Sequence, residues 1–219
     1  YELIEEVARG GMGVVYRATA PRLGRDVAIK LLSSDRVHDA NWLERFHREA
    51  RITGALNHPN IVTIFEIGTH HGTPYLATEY VEGTTLRHCI REGRCHLAES
   101  LEWAVQMAGG LNAAHQAGII HRDLKPANLF ISRKGKVKLG DFGIARDTEA
   151  TALTAAGKTL GTYAYMAPEQ IQVSDPISRK TDLYALGCVL YQVIVGETPF
   201  QSDNPMDLLM QHLKDDPYN

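Results

Sequence analysis

Apolar and polar positions alternate through most of the first 80 residues, and β-branched side chains are frequent there, as is typical of β-strands. One stretch breaks this alternation, because from about Asn41 to Leu56 the apolar residues recur with helical spacing. Turn residues separate the strand-like segments, which are YELIEEVA, GVVYRATA, RDVAIKLL, IVTIFEIGTHHG and TPYLATEYV. The pattern predicts a small, β-rich first unit with one helix inserted among its strands.

After Gly83 the pattern becomes helical, in TLRHCIREG, AESLEWAVQMAGGLNAAHQAG and KTDLYALGCVLYQVIVG. The longest apolar run, residues 183–196, is interrupted by Gln192. It is shorter than the roughly 20 residues of a membrane-spanning helix, so we expect a buried helix of a globular unit. We predict an α+β fold with two lobes, residues 1–81 and 82–219, and a ligand-binding cleft between them.

Composition narrows the classes of function. The formal net charge is −3 over 219 residues, which gives no electrostatic indication of nucleic-acid or anionic-membrane binding. The three cysteines, Cys89, Cys95 and Cys188, match no zinc-binding spacing, and we expect small buried side chains in a reducing compartment. The acidic, strand-like opening YELIEEVARG has none of the features of a signal peptide.

Three glycines, Gly10, Gly11 and Gly13, lie between the first two predicted strands. They fit the tip of a hairpin, where glycine serves turn geometry, and they also fit a loop whose backbone N–H groups approach phosphate oxygens closely. The third strand bears on this choice, because its alternation places Ala28 and Lys30 on one face. Ala28 leaves room for a flat group and Lys30 supplies a positive charge, although a lysine there could also extend into solvent.

The predicted helix carries a carboxylate close to its apolar stripe. Glu49 lies three residues from Phe46 and from Ile52, and we expect the stripe to run through Leu43, Phe46, Ile52 and Leu56. A carboxylate that faces a core is costly unless it is paired. We therefore expect an ion pair between Glu49 and Lys30.

The segment HRDLKPANLFISRKGKVKLGDFG, residues 121–143, predicts a β-hairpin. With Lys134-Gly135 as a two-residue turn, Ser132 would face Val137, and Asn128 would face Asp141. Two oxygen ligands without thiols or imidazoles suit Mg²⁺, which keeps waters and shares phosphate ligands, while two ordinary turn-capping side chains remain the alternative.

Two further polar residues precede this hairpin. Asp123 lies five residues before Asn128 and could orient a hydroxyl and accept its proton. Lys125 could neutralise a phosphoryl group during its transfer.

Taken together, these motifs resemble the protein kinase family from Tyr1 to Asn219. ARGGMGVV resembles the glycine-rich loop, VAIK the strand of the ATP-phosphate lysine, HRDLKPAN the catalytic loop, DFG the magnesium motif and APE the end of the activation segment. The presence of Lys125 within HRDLKPAN resembles the catalytic loop of serine/threonine kinases. The motifs GGMGVVYRA, DFGIAR and YMAPEQ resemble those of the eukaryotic-like kinases of bacteria. The resemblance implies a two-lobed kinase fold, in which the predicted helix is helix C.

The resemblance also implies the site residues. Lys30, Glu49, Asp123, Lys125 and Asn128 would serve catalysis, and Asn128 with Asp141 would hold Mg²⁺. The ATP site would consist of the glycine-rich loop, the residues above and below the adenine, the gatekeeper and the hinge: Ala8, Gly10, Gly11, Met12, Gly13, Val15, Ala28, Lys30, Thr78, Glu79, Tyr80, Val81 and Phe130.

Around the catalytic loop, the resemblance implies that Thr162 bonds to Asp123 and Lys125, and that Asp182 holds the loop's backbone. It also implies that Arg122 receives a phosphate from the activation segment. The activation segment DTEATALTAAGKTLGT, residues 147–162, is small and polar and has little to order it by itself, so we expect its phosphorylation to switch the kinase on. Thr154 is the first candidate, followed by Thr151 and Thr159.

The sequence departs from the family pattern at two places. Ala8 replaces the first glycine of the loop, and since alanine can adopt a strand conformation we expect a modest loss of loop mobility. The chain also ends in what resembles helix G, so we expect the last helices of the family to be missing. The arginine that pairs with the APE glutamate, here Glu169, would then be missing too, and apolar surface would be uncovered.

The resemblance implies a serine/threonine protein kinase that uses ATP and Mg²⁺, acts on proteins and phosphorylates its own activation loop. A pseudokinase or nucleotide-binding scaffold is the main alternative, but the residues whose loss marks that class, Lys30, Asp123 and Asp141, are present. A small-molecule kinase usually lacks an activation segment closed by APE. We further expect a cytoplasmic kinase domain, possible tethering of the full-length protein to a membrane, and a homodimer during autophosphorylation.

Overall fold

A computed structural model describes residues 1–10, 13–22, 24–33, 39–143, 160–172 and 176–217. The first part of the chain forms a five-stranded antiparallel sheet with the strand order β1-β2-β3-β5-β4. The strands are β1 Glu2–Gly10, β2 Gly13–Ala20, β3 Arg25–Leu32, β4 Ile64–His70 and β5 Thr73–Glu79. All five predicted strands are thus confirmed.

Helix α1, Ala40–Gly54, packs on this sheet. It begins after Asp39, whose side chain accepts a hydrogen bond from the Trp42 N–H. Trp42, Phe46 and Ala50 recur at i, i+4 and i+8, are buried, and form a core cluster with side chains of β3 and β5. The expected stripe was therefore partly wrong, because Ile52 is 47% exposed.

The second lobe combines a three-stranded sheet with helices that cover one large core. Its strands are β6 Gly83–Thr85, β7 Leu129–Ser132 and β8 Val137–Leu139. Its helices are α2 Leu86–Arg91, α3 Leu97–Gln116, α4 Leu160–Tyr163, α5 Pro168–Ile171, α6 Arg179–Val195 and α7 Pro205–Lys214, with a 3₁₀ turn at Pro126–Asn128. The predicted α+β fold with a helical second lobe is confirmed, and the exact boundary between residues 81 and 82 stays a prediction.

The β7–β8 hairpin differs from its predicted register by one residue. Ile131 pairs with Val137, and the Ser132 N–H donates to the Lys136 carbonyl at 2.9 Å. The loop therefore has three residues and ends at Gly135, which has a φ of 71°. A two-residue turn was wrong because Gly135 takes the left-handed position of a longer loop, and Asn128 lies opposite Gly140 instead of Asp141.

The burial of the cysteines and the length of the apolar helices agree with the predictions from the sequence. Cys89 and Cys188 are buried and Cys95 is half-buried, and all three are free thiols. Burial raises the pKa of Cys188 to about 12. None of the described helices is both long and apolar enough to span a membrane.

Candidate active site

The cleft that borders both sheets encloses about 820 Å³, including its opening to solvent. Nine of the residues expected to bind ATP or metal line it: Val15, Ala28, Lys30, Thr78, Glu79, Tyr80, Val81, Phe130 and Asp141. The structure thus brings together side chains that are separated by more than 100 positions in the sequence.

Strand alternation explains how β3 contributes to the cleft. Val27 and Ile29 are almost fully buried and pack with Ala18 and Ala77 in the core of the first lobe. Ala28 and Lys30 consequently point to the opposite face, which is the cleft wall. Val15 of β2 pairs directly with Lys30 of β3, so the apolar side chain of Val15 and the charged side chain of Lys30 lie next to each other.

Several apolar lining residues were missed by the sequence analysis. They are Val7, Val62, Ile64, Leu76 and Phe142, to which Thr53 and Gly140 are added. Gly140 carried a signal that could have been used, because a glycine directly before a functional aspartate suggests a tight contact. A Cβ at this position would lie 2.7 Å from the ring of Phe130.

The glycine-rich loop lies at the end of the β1–β2 hairpin, and its Gly11 and Met12 are outside the described residues. Ala8 pairs with Val15 inside β1, as expected for an alanine in a strand. Gly13 has a φ of 132°, and a Cβ there would lie 1.9 Å from the Leu31 carbonyl oxygen. Ala8, Gly10 and Gly13 do not line the cleft, so their contact with phosphates stays a prediction.

The expected Lys30–Glu49 ion pair is wrong for this conformation. Lys30 Nζ lies 2.6 Å from Asp141 Oδ1. Glu49 Oε1 instead lies 3.7 Å from Nη1 of Arg122. An ion pair between Lys30 of β3 and Glu49 of α1 depends on how α1 is placed relative to β3. The spacing of residues within α1 carries no information on that placement.

The ammonium of Lys30 also affects the charge state of Asp141. The surrounding protein disfavours an ionised carboxylate, but the positive charge and the hydrogen bond of Lys30 outweigh this effect and lower the pKa of Asp141. Asp141 is therefore ionised at neutral pH. Its backbone φ of 49° is unusual for a residue with a side chain.

The side chains of the catalytic loop lie close together, and the predicted bond of Thr162 to Lys125 is present, while the predicted bond of Thr162 to Asp123 stays a prediction. Lys125 Nζ lies 3.1 Å from Asp123 Oδ2 and donates to Thr162 Oγ1 at 3.1 Å. Asn128 Nδ2 donates to the Asp123 carbonyl at 2.8 Å and lies 3.2 Å from Asp123 Oδ2. The carboxylate of Asp123, the ammonium of Lys125, the amide of Asn128 and the hydroxyl of Thr162 thus form one connected cluster.

Asp182 holds the backbone of this loop. It is 1% exposed, and its two oxygens accept hydrogen bonds from the N–H groups of His121 at 2.8 Å and Arg122 at 2.9 Å. His115 Nε2 lies 2.7 Å from the same carboxylate. The sequence analysis missed His115, because its position at the end of α3 gives no sign of contact with α6.

His121 connects the catalytic loop to the segment around Asp141. Its ring Nδ1 faces the Asp123 N–H at 3.3 Å, and Nε2 lies 3.1 Å from the Gly140 carbonyl. Complete burial lowers the pKa of His121, so the ring is neutral, with its proton on Nε2.

Glu169 has a partner other than the expected arginine. Its Oε1 accepts a hydrogen bond of 2.5 Å from the Thr181 hydroxyl at the start of α6. The expected arginine partner is therefore not the only group that can satisfy this carboxylate. The predicted phosphorylation sites Thr151, Thr154 and Thr159 lie outside the described residues.

Comparison with known proteins agrees with this geometry. The sequence model that describes the protein kinase domain family matches residues 1–217 of this chain. The chain belongs to the protein kinase family.

This kinase chain is similar to curated bacterial proteins. It is 43% identical over 223 residues to the serine/threonine-protein kinase PknB of Mycobacterium leprae, covering 99% of the chain and 36% of that protein. It is 43% identical over 224 residues to PknB of Mycobacterium tuberculosis, with the same coverage. A probable serine/threonine-protein kinase of Streptomyces coelicolor, SCO3848, is 40% identical over 224 residues, covering 99% of the chain and 33% of that protein. The chain thus spans about a third of the length of these relatives.

Proposed function

We propose that this chain is the catalytic domain of a serine/threonine protein kinase, which transfers the γ-phosphoryl group of ATP to a serine or threonine hydroxyl of a protein. The observation that carries the proposal is the convergence of Asp123, Lys125 and Thr162 within hydrogen-bonding distance. Both curated PknB relatives are named as serine/threonine kinases, which supports this acceptor class.

Each residue of this group has a chemical task in the proposed reaction. Asp123 orients the acceptor hydroxyl and takes its proton, while the bond from the acceptor oxygen to the γ-phosphorus forms and the bond from that phosphorus to the leaving ADP breaks. Lys125 neutralises negative charge on the phosphoryl group and holds Thr162, which ties the substrate side of the cleft to the catalytic loop. Positioning and charge neutralisation supply most of the rate enhancement in this class of reaction.

Asn128 and Asp141 are the residues that would hold Mg²⁺. Asn128 donates its Nδ2 to Asp123, so its carbonyl oxygen is the atom of this amide that can bind a cation. Asp141 is an ionised carboxylate in the cleft wall, and two oxygen ligands with water and phosphate suit Mg²⁺. When bound, such a cation would supply positive charge that offsets the negative charge of the ATP phosphates.

The cleft itself supports ATP as the donor. Ala28 and Val15 would cover the adenine from one side and Phe130 from the other, and Glu79 to Val81 would form the hinge beside it. Lys30 lies in the same cavity and would bind the phosphates. In the present arrangement Lys30 binds Asp141, so ATP and Mg²⁺ would have to share or replace this contact.

We also propose that phosphorylation of the activation segment regulates the enzyme. Arg122 contacts Glu49 here, and a phosphothreonine would compete for its guanidinium through three strong acceptor oxygens. Glu49 could then turn to Lys30, as the family pattern implies. Thr154 remains the first candidate for this phosphorylation.

Mass spectrometry after incubation with Mg-ATP tests this regulation, together with the activity of a variant in which Thr151, Thr154 and Thr159 are all alanine. We expect the triple variant to lose most of its activity. Full activity without phosphate on this segment would contradict the mechanism. Thr162 should stay unmodified, because its hydroxyl binds Lys125.

A pseudokinase is the alternative. The presence of Lys30, Asp123 and Asp141, with Lys30 against Asp141 and Lys125 against Asp123, supports an active kinase instead. Dimerisation during autophosphorylation, a cytoplasmic kinase domain and a membrane tether in the full-length protein are further parts of the proposal.

The deciding experiment measures phosphoryl transfer from γ-labelled ATP to a protein substrate by wild type, Asp123→Asn and the exposed-site control Asp203→Asn. We expect Asp123→Asn to lose activity by about 100-fold or more, and the control to keep it. Equal turnover in all three would overturn the assignment of Asp123.

A further inference from the structure

Arg122, directly before Asp123, has an unusual backbone conformation. Its φ is 64°, which places it in the left-handed region that residues with a side chain rarely adopt. Such a conformation persists only when surrounding contacts hold it. The position of Asp123 therefore depends on what holds the backbone of Arg122.

Two side chains from outside the catalytic loop hold this backbone. The Arg122 N–H donates to Asp182 Oδ1 at 2.9 Å, as described above. Its carbonyl oxygen accepts a hydrogen bond of 2.9 Å from Nε2 of Gln170. Asp182 secures one side of Arg122, and Gln170 secures the side that leads into Asp123.

The amide of Gln170 is fixed at both ends. Its Oε1 accepts a hydrogen bond of 3.0 Å from the N–H of Ala167, which is fully buried. Rotating the amide by half a turn would place a donor against an N–H and an acceptor against a carbonyl. The two contacts thus define a single orientation of the side chain.

The same helix, α6, anchors both partners of Arg122. Gln170 belongs to α5, and the neighbouring Glu169 accepts the hydroxyl hydrogen bond of Thr181. Thr181 is adjacent to Asp182 on α6. The contacts therefore form a closed ring that runs from α6 through Asp182, Arg122 and α5 back to α6.

We infer that Gln170 is a positioning residue for Asp123, acting through the Arg122 carbonyl. Ala167 ends the segment that includes Thr162, so Gln170 also connects the substrate-side segment with the catalytic loop. The inference rests on the proposed catalytic role of Asp123. Gln170 does not line the ATP cleft, so its effect is confined to the acceptor side of the reaction.

Two variants separate this role from simple support of the fold. Gln170→Glu keeps an oxygen for the Ala167 N–H but loses the donor to the Arg122 carbonyl, whereas Gln170→Leu loses both contacts. We expect kcat to fall about 10-fold in both variants, since a displacement of about 1 Å can cost about 100-fold in rate. The KM for ATP and the affinity for ATP, measured by calorimetry, should stay unchanged.

Gln192→Leu is the matched control. Gln192 is also a half-buried amide, and it accepts a hydrogen bond from the Tyr165 hydroxyl of the same segment. Among the described residues its side chain has no hydrogen bond to the catalytic loop. This control should lose some thermal stability but keep kcat. Retention of kcat within about twofold in Gln170→Glu would overturn the inference. A comparable fall of kcat in the destabilised Gln192→Leu would also overturn it, because loss of stability alone would then explain the lower kcat.

Asp123→Asn distinguishes failure of this inference from failure of the proposed function. If Asp123→Asn keeps its turnover, the catalytic role of Asp123 is wrong whatever the Gln170 variants do. If Asp123→Asn is inactive and Gln170→Glu is fully active, only the positioning role is wrong.

Discussion

The contacts of Asp182 predict how much an isosteric substitution should cost. Its carboxylate accepts two backbone N–H bonds, from His121 and Arg122, and lies 2.7 Å from the ring of His115. In Asp182→Asn the least damaging orientation places the new NH₂ group against the Arg122 N–H. This orientation removes one charge-assisted hydrogen bond and leaves a buried donor facing another donor.

A hydrogen bond to a charged group contributes about 1.5–3 kcal/mol, and the two remaining bonds weaken when their acceptor becomes neutral. We therefore expect Asp182→Asn to lower the free energy of unfolding by about 2–4 kcal/mol. A domain with a stability of about 5–15 kcal/mol would still fold. Because the Arg122 N–H loses its acceptor, kcat should fall as well.

Urea unfolding followed by the fluorescence of Trp42 and Trp103 measures the stability, and phosphoryl transfer at low urea measures kcat. Asp203→Asn, on the surface, is the control for removal of one negative charge. A loss of less than about 1 kcal/mol in Asp182→Asn, with unchanged kcat, would refute the reasoning.

Three further predictions concern the metal, the glycine-rich loop and acid stability. Asp141→Asn should abolish phosphoryl transfer in a folded protein, as measured with labelled ATP, because it removes the carboxylate that would hold Mg²⁺. Ala8→Gly should change the KM for ATP by no more than about threefold, whereas Gly10→Val should raise it much more in steady-state kinetics. Burial lowers the pKa of His212 to about 4, so acid unfolding should show stability present above about pH 6.5 and lost as the pH falls towards 4.

Each of these predictions has an outcome that contradicts it. Unchanged turnover in Asp141→Asn would exclude a metal role for this side chain. A larger effect of Ala8→Gly than of Gly10→Val would reverse the order of the loop positions. His212→Asn keeps an acceptor for the Tyr184 hydroxyl, so this variant should flatten the stability profile, and an identical acid profile would show that His212 does not cause it.

The sign of the acid effect follows from the burial of a neutral ring. The unfolded chain binds a proton at His212 below about pH 6.5, whereas the folded protein resists protonation until about pH 4. The unfolded state therefore gains protons first, and stability falls with pH across this window. Burial also lowers the pKa of His121, so part of the decrease of stability with falling pH should remain in His212→Asn.

Local pattern was sufficient for most of the fold. Alternation in RDVAIKLL places Ala28 and Lys30 on one face, and the structure has both side chains in the cleft wall. The spacing of HRDLKPAN likewise brings Asp123, Lys125 and Asn128 together within one loop. These predictions succeed because strand period and short loop length determine them.

The errors lie where distant elements meet or where one residue changes a turn. The β7–β8 register depends on Gly135 adopting a positive φ in a three-residue loop, which the letters KG alone do not reveal. The partners of Lys30 and Glu49 depend on the placement of α1 relative to the catalytic loop. Gln170 gave no signal at all, because its two contacts exist only once α5 reaches the Arg122 carbonyl.

The most direct test of the proposed function identifies the residue that receives the phosphate. Wild type and Asp123→Asn are incubated with Mg-ATP and a library of peptides that contain serine, threonine or tyrosine, and the products are read by mass spectrometry. We predict phosphate on serine and threonine with wild type only, while calorimetry shows that both proteins bind ATP. Bound ATP without any phosphorylated peptide or self-phosphorylation in wild type would contradict the account and identify a pseudokinase.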